Sequence, residues 1–460
     1  MNLQQFLKEN VVPAIGCTDP VAIAFASSVA YNSLFYEKFD STIPLSEQFK
    51  KNTPVPIIEN ITKLSIRTDK GLFKNAYAIT IPASNNRKSM KIVAAMGIFG
   101  NPALKLGILG NLSPDVIPKA DKIVKLGLIE AGVINDNSFN SQLRIEIELE
   151  YKKSTTDQKY EKIFVRMLDS YSYINCIRAR DSSGNEITIY DQQKMDSDNT
   201  KKNEQFPDTI EELWHIATEA DQEILKQIKT GIDMNYDIAK KGLSEKYGAG
   251  FGWALREIAI KTDCEHSLPI KVKYHAAAAA DARMGGCPMP VMTTSGSGNQ
   301  GITATLPVFF VAKAYNKSEE LLYRAVLFSH LVNHFCAINL GLLSPLCGTI
   351  TKAAMGAASG IIYLMGGTLE NVHTAINLLA GGMVGMLCDG AKDGCALKVS
   401  YSSQAAVESA FMALSNYRLS DENGIVCSNA LDTIKTIGQL AIQMKDTDDE
   451  ILKIMISKKK

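Results

Sequence analysis

Cys347 lies in SPLCGTITKAAMGAASG, one of the least charged stretches of the chain, and Cys388 and Cys395 lie in the glycine-rich GMLCDGAKDGC. Cysteine thiolates hold iron–sulfur clusters, and small neighbours let a cluster approach backbone N–H groups. Three thiols are one short of a closed four-cysteine site. A metal with one unprotected position is a Lewis acid rather than a structural staple. The structural alternative is three ordinary buried thiols, since free cysteine is among the most buried residue types and Cys-x6-Cys is no standard metal spacing. Asp389 and Lys392 lie between two of these cysteines. The lysine could hold a carboxylate or transfer a proton; as a solvated loop residue it would do neither.

A second cluster is Ser295-Gly296-Ser297-Gly298-Asn299-Gln300-Gly301, followed by the apolar run ITATLPVFFVAKA. A turn of glycine and serine feeding a helix N-terminus gathers free N–H groups and hydroxyls, which suits a carboxylate or phosphate. A flexible turn with a serine cap is the plainer reading. No Gly-Lys-Ser/Thr follows, so this is not a P-loop. The third cluster is Gly16-Cys17-Thr18-Asp19-Pro20, ahead of VAIAFASSVAYNSL. With Thr18 or Asp19 as cap and Pro20 at the first helical position, Cys17 would lie at the positive end of a helix. Thiolate is favoured there. A cap motif that happens to contain cysteine is the alternative. His330 and His334 are four apart without an intervening glutamate, which suits core residues better than a zinc protease motif. His275 heads a run of alanines and reads as helical.

Those residues need elements to position them. Residues 1–35 read as two short helices around a Pro13–Pro20 break, and 36–56 as a polar loop. Alternation in ITKLSIRT and AYAITIP predicts a hairpin turning at Asp69-Lys70-Gly71. Helix is expected at 102–110 and 119–132. The runs LRIEIELEY, KIFVRML, SYINCIRAR and EITIYD are expected strands, with a turn at 182–185. The stretch from Gln192 to Pro207 is polar and reads as a linker. Beyond it the periodicity is helical almost throughout. The fold class is therefore α+β: a mixed N-terminal half with short antiparallel sheets and an all-helical C-terminal domain carrying the cysteines. The expected divisions are 1–57, 58–191, the linker 192–207, and 208–460.

Charge excludes several roles. Lys+Arg and Asp+Glu are both 49 in 460 residues, so no global field attracts nucleic acid or an anionic membrane. The charge-free stretch from Ala325 to Thr351 carries His330, Asn333, His334 and Asn339 and breaks at Gly341 and Pro345, which argues against a span. MNLQQFLKENVVPAIG has no basic segment ahead of an apolar core. A cytoplasmic setting with nine reduced or metal-bound cysteines is the expectation.

Taken together, GCTDP, MGGCPMPVMTTSGSGNQGI, SPLCGTITKAAMGAASG and CDGAKDGCALKVS resemble the L-cysteine desulfidase family, which is related to the α-chain of iron–sulfur L-serine dehydratases. The resemblance runs from about residue 8 to about 415. It implies a PLP-independent lyase with a [4Fe-4S] cluster that converts L-cysteine to sulfide, ammonia and pyruvate. It also implies that Cys347, Cys388 and Cys395 are cluster ligands and that Ser295, Gly296, Ser297, Gly298, Asn299 and Gln300 hold the substrate. Cys17 matches the desulfidases' N-terminal cysteine, a base or a ligand, with Lys392 in reserve as base. Asp19 stands where glutamate is more usual, and the segments 36–56 and 192–207 are insertions. An amino acid is the expected small-molecule partner, and a homodimer is compatible with the reading. The alternatives are L-serine or another β-substituted amino acid on the same site, and an iron–sulfur redox sensor. A PLP lyase is disfavoured because no lysine has a recognisable Schiff-base context.

Overall fold

The N-terminal residues supply α1 (Leu3–Asn10), β1 (Pro13–Ile15) and α2 (Thr18–Ser33). The computed structural model describes residues 1–49, 53–82, 84, 86–135, 143–153, 155–191, 206–341 and 343–458. Most of the expected linker, 192–205, lies outside the described residues. The chain forms two units, one of Met1–Ala14 with Lys202–Lys460 and the other of Ile15–Lys201. The class is α+β.

The Ile15–Lys201 unit continues with α3 (Leu45–Gln48), β2 (Ile61–Thr68), α4 (Lys70–Ala76), α5 (Met90–Ile98), a 3₁₀ segment (Pro102–Asn111) and α6 (Val116–Lys125). Then come β3 (Ile129–Val133), β4 (Arg144–Tyr151), β5 (Lys162–Leu168), β6 (Ile174–Arg180) and β7 (Glu186–Asp191). The four late strands form where alternation placed them. They make one six-stranded sheet of order β3-β2-β4-β5-β6-β7, antiparallel except for the β2/β3 pair. Two expectations are corrected here. Asp69-Lys70-Gly71 is not a hairpin turn, because Asp69 caps α4 by accepting from the Leu72 amide at 2.9 Å. Asp-x-Gly serves a helix N-cap as well as a turn, and nothing in the local pattern separates them. Residues 129–132, expected as the end of a helix, are strand β3. Their parallel partner β2 lies sixty-five residues away (Leu64 opposite Ile129), and tertiary pairing overrides local periodicity.

α2 is buried along its whole length. An apolar segment with no polar face can only be a central helix, and α2 packs against α4, α5 and the sheet. Gly97 of α5 makes that approach feasible: a Cβ there would overlap the backbone of Ala24. The 3₁₀ segment and four-residue α3 pack around the same helix system.

The other unit contains α7 (Ile210–Glu219), α8 (Gln222–Ser244), α9 (Phe251–Lys261), α10 (Leu268–Met284), β8 (Pro290–Met292), α11 (Gly298–Ala314) and α12 (Glu319–Leu340). A π-helical turn (Thr349–Ala354) leads into α13 (Met355–Met365), followed by α14 (Leu369–Met383), α15 (Cys395–Leu414), α16 (Ala430–Gln443) and α17 (Lys445–Ser457). The alanine run 276–280 in α10 is fully buried, packed among α8, α9 and α15. Side chains of one carbon let these helices approach closely, and Gly242 and Gly252 meet Ala278 with no room for a Cβ. α12 is long and apolar enough by composition to cross a membrane, yet 72% of its most apolar window is buried in this packing.

The α2–α5 contact generates a stability prediction. Gly97→Ala should lower the free energy of unfolding by roughly 1–3 kcal/mol, because the obstructing atoms are backbone and cannot turn away. Gly107→Ala, where a Cβ meets nothing within 4 Å, should leave urea unfolding unchanged. Equal effects of the two would contradict the packing argument.

Candidate active site in the helical unit

The glycine–serine loop leaves β8 and enters α11. β8 is held by Asn235 of α8, whose side chain donates to the Met292 carbonyl at 3.2 Å and accepts from the Met292 amide at 2.9 Å. The loop turns through left-handed conformations at Ser295 (φ 45°) and Gly296 (φ 78°). Ser297 then caps α11, accepting from the Gln300 amide at 3.4 Å. The first N–H groups of a helix lack intrahelical acceptors, and its positive end favours an anion. Gly301 presses so closely on the Met292 carbonyl that no Cβ fits. The expected helix entry is therefore present, with its cap at Ser297.

α12 reads the loop from one side. Asn333 donates to Ser295 Oγ at 3.1 Å, and His334 Nδ1 lies 3.0 Å from the same hydroxyl. Burial lowers His334 to about 4, keeping its ring neutral, and the charge of Lys352 adds to the effect. Phe6 and Phe206 pack edge-on against that ring. His330 is a buried core residue, lowered to about 4 by burial. The side-chain oxygens of Gln300 and Asn333 are buried with no donor among the described residues. Thus two acceptors border a loop whose helix end offers donors.

The same loop meets the first cysteine segment. A Cβ on Gly348 would lie 2.6 Å from Gln300 Nε2, so the carboxamide is seated against the residue after Cys347. The Cys347 thiol lies 3.1 Å from Thr349 Oγ1, which continues to Ser402 Oγ at 3.0 Å. An antiparallel bridge, Leu346 to Leu387, ties this segment to the second one. The Cys347 amide donates to Met386 O and the Cys388 amide to Pro345 O, both at 2.7 Å. Cys395 opens α15, with its thiol directed at the Gly390 carbonyl, 3.7 Å away. Burial, then the neighbouring Cys347, pushes Cys395 up to about 11; burial, then Cys388, raises Cys347.

Cys395 is thus raised by burial and by both other thiols, and Cys347 by burial and by Cys388, which places the three sulfurs near one another. No trio of His, Cys, Asp or Glu side chains is gathered at metal-ligating spacing among the described residues. The sulfurs of Cys347 and Cys395 are instead turned to local partners, Thr349 Oγ1 and the Gly390 carbonyl. The donor chemistry fits an iron–sulfur group: an all-thiol set bears mutual repulsion on ionisation that only a shared cation relieves.

Several neighbours escaped the sequence reading. Lys352, in the π-helical turn, is 2% exposed; its ammonium donates to Gly341 O at 2.5 Å and feels Cys336, Cys388 and Cys347. Burial lowers it to about 8. Asp281 of α10 is raised to about 7 by burial, with Asp393 as a further charge. A lysine or aspartate on a helix gives no sequence signal of burial unless its whole surroundings are apolar; Thr349–Ala358 was such a case. Lys392 is partly exposed and paired with Asp389, which also takes Lys398. Burial, then Lys398, lowers its pKa.

Cys17 belongs to the Ile15–Lys201 unit. It is itself the N-cap of α2, which begins at Thr18, so neither Thr18 nor Asp19 caps and Pro20 is the third helical residue rather than the first. Its buried thiol donates to Asp19 Oδ2 at 3.4 Å, and Tyr171 donates to Asp19 Oδ1 at 3.3 Å. Burial raises Asp19, and raises nearby Asp69 to about 6. A concavity of about 410 Å³ lies on the sheet face lined by Lys63, Arg67, Glu130 and Glu148. Its charges pair with one another, as in Lys63–Glu130 at 3.0 Å, so it offers less chemistry than the loop–thiol border.

The helical unit thus brings an anion-suited loop up against the segment that bears the first thiol. The serine dehydratase alpha chain family model matches residues 140–453. The chain is 35% identical to a UPF0597 protein of Clostridium perfringens, across 99% of this chain and 97% of that one. It is 33% identical to one from Photobacterium profundum (98% and 97%) and 32% to one from Elusimicrobium minutum (100% and 99%). The chain belongs to the serine dehydratase alpha chain family, shares full-length similarity with the UPF0597 proteins, and is a serine-dehydratase-like lyase.

The ligand assignment is tested by metal content. Cys347→Ala, Cys388→Ala and Cys395→Ala should each abolish retention of iron and sulfide after anaerobic reconstitution. Cys176→Ala, Cys264→Ala, Cys336→Ala and Cys427→Ala should load fully. Full loading of the Cys347 variant would remove the thiol set from consideration.

Proposed function

We propose that this chain is a PLP-independent iron–sulfur lyase that converts L-cysteine to sulfide, ammonia and pyruvate. The observation that carries the reading is the shared border of loop and thiols, where Gln300 is seated against Gly348 beside Cys347. Membership of a dehydratase family supports elimination from a β-substituted amino acid. A [4Fe-4S] cluster on Cys347, Cys388 and Cys395 would supply a thiophilic Lewis acid for the β-sulfur. The remaining work falls to the chain's own residues. The loop Ser295–Gln300 orients the carboxylate end, and the free oxygens of Gln300 and Asn333 accept from the α-ammonium. Neutral His334 fixes the Ser295 hydroxyl. Cys17, a buried thiol at a helix N-cap beside Asp19, is the proposed base for the α-proton, with Lys392 in reserve. Loss of that proton and of HS⁻ leaves aminoacrylate, which takes up water, releases ammonia and becomes pyruvate.

L-serine is the second reading, favoured by the family's own name. Its hydroxyl would occupy the place of the thiol, but iron prefers sulfur. A redox sensor would have no use for a loop with buried, unfilled acceptors.

Oxygen-protected, reconstituted enzyme without added PLP should release sulfide, ammonia and pyruvate from L-cysteine in equal amounts. Cys17→Ser should keep its iron and lose turnover by about 10²-fold or more, since a serine hydroxyl is far too weak an acid to supply a base near neutral pH. Faster turnover of L-serine would establish the second reading, and failure with both amino acids would refute the elimination chemistry.

A further inference from the structure

We propose that Arg283 receives the carboxylate of the substrate, an inference that rests on the amino-acid lyase reading. Arg283 occupies the last turn of α10 and is 3% exposed. No acidic side chain pairs with it among the described residues. Its Nη1 donates to Asn299 Oδ1 at 2.9 Å and lies 3.4 Å from Met284 Sδ. Its Nε has no acceptor among the described residues. The end of α10 offsets part of the charge, but an isolated buried cation with open donors remains costly.

The location of that guanidinium gives it a purpose. It lies against Gly298, the first residue of α11, where a Cβ would collide with it and approach Val291 to 2.6 Å. Glycine is thus required for the guanidinium to sit at the start of a seventeen-residue helix. The helix N-terminus and the unpaired cation are independent features, and both call for an anion. A guanidinium takes a planar carboxylate in paired hydrogen bonds, which a lysine ammonium cannot reproduce. Asn299 then acts as the bracket that orients Arg283, with its carboxamide oxygen already engaged. The acceptors at Gln300 and Asn333 take the other end of the zwitterion. Arg283 therefore selects α-amino acids over the corresponding simple amines.

The test compares each acid with its decarboxylated partner on reconstituted holoenzyme: L-cysteine with cysteamine, and L-serine with ethanolamine. Binding is measured by equilibrium titration. The wild type should prefer the acid. Arg283→Gln should weaken the acid by roughly tenfold or more, the loss expected for a hydrogen-bonded charge, and leave the amine unchanged. Arg283→Lys, which keeps the charge but not the fork, should give an intermediate loss and carries the test if the glutamine variant does not fold. Equal weakening of acid and amine would reduce Arg283 to a prop for the loop and overturn the proposal, as would no change in either. A wild type that binds only L-serine removes the cysteine reading, and Arg283 is then judged on the serine–ethanolamine pair. A wild type that binds neither acid overturns both.

Discussion

Three close approaches of backbone hold the helical unit's site together. Gly301 lies on the Met292 carbonyl, Gly298 on the Arg283 guanidinium, and Gly348 on the Gln300 carboxamide. None leaves room for a Cβ. Through the first, β8 fixes where α11 begins. Through the second, the end of α10 delivers a cation to that beginning. Through the third, the first thiol segment is seated beside the loop. A methyl group at any of them would push apart elements whose value lies in their proximity, and interiors at native density have no slack to absorb it.

Electrostatics explains why such a site needs tight construction. The thiols of Cys347 and Cys395, raised by burial and neighbouring sulfur, a buried lysine lowered to about 8 and an arginine with no acidic partner among the described residues are each unfavourable alone. A stable fold tolerates them because the packing around them is otherwise apolar: the alanine run of α10, α11, α12 and the π-helical turn. The arrangement resembles a set of charges awaiting complementary ones, a cation for the thiols and a zwitterion for the loop. Preorganised charge of this kind is the usual source of specificity at a site that excludes water.

Much of this was legible in the sequence, and the failures have physical reasons. Long alternating runs and a serine-capped apolar segment are strong local signals, so β4–β7 and the entry to α11 stand where expected. The cysteines were visible by type, because thiols in glycine-rich apolar segments are unusual. β3 was missed since its partner is distant in sequence, and Asp69 was misread since a turn and a cap use the same residue. Arg283 carried no signal at all: an arginine in the last turn of a helix is ordinarily a surface residue that complements the dipole. Its burial and the absence of an acceptor for Nε among the described residues distinguish it. Asn299 was visible as a polar loop residue, but its engagement by Arg283 required the tertiary structure. The separation of Cys17 from the thiol segments into different units was equally invisible to motif order.

The central claim is that three thiols hold a cluster with one iron open to the substrate. Its most direct test is the ⁵⁷Fe Mössbauer spectrum of reconstituted enzyme, recorded before and after L-cysteine is added without oxygen. The account expects one iron site to shift to a distinct signal while the others stay unchanged. A spectrum that L-cysteine leaves unaltered, or one in which all iron sites are equivalent throughout, would contradict it.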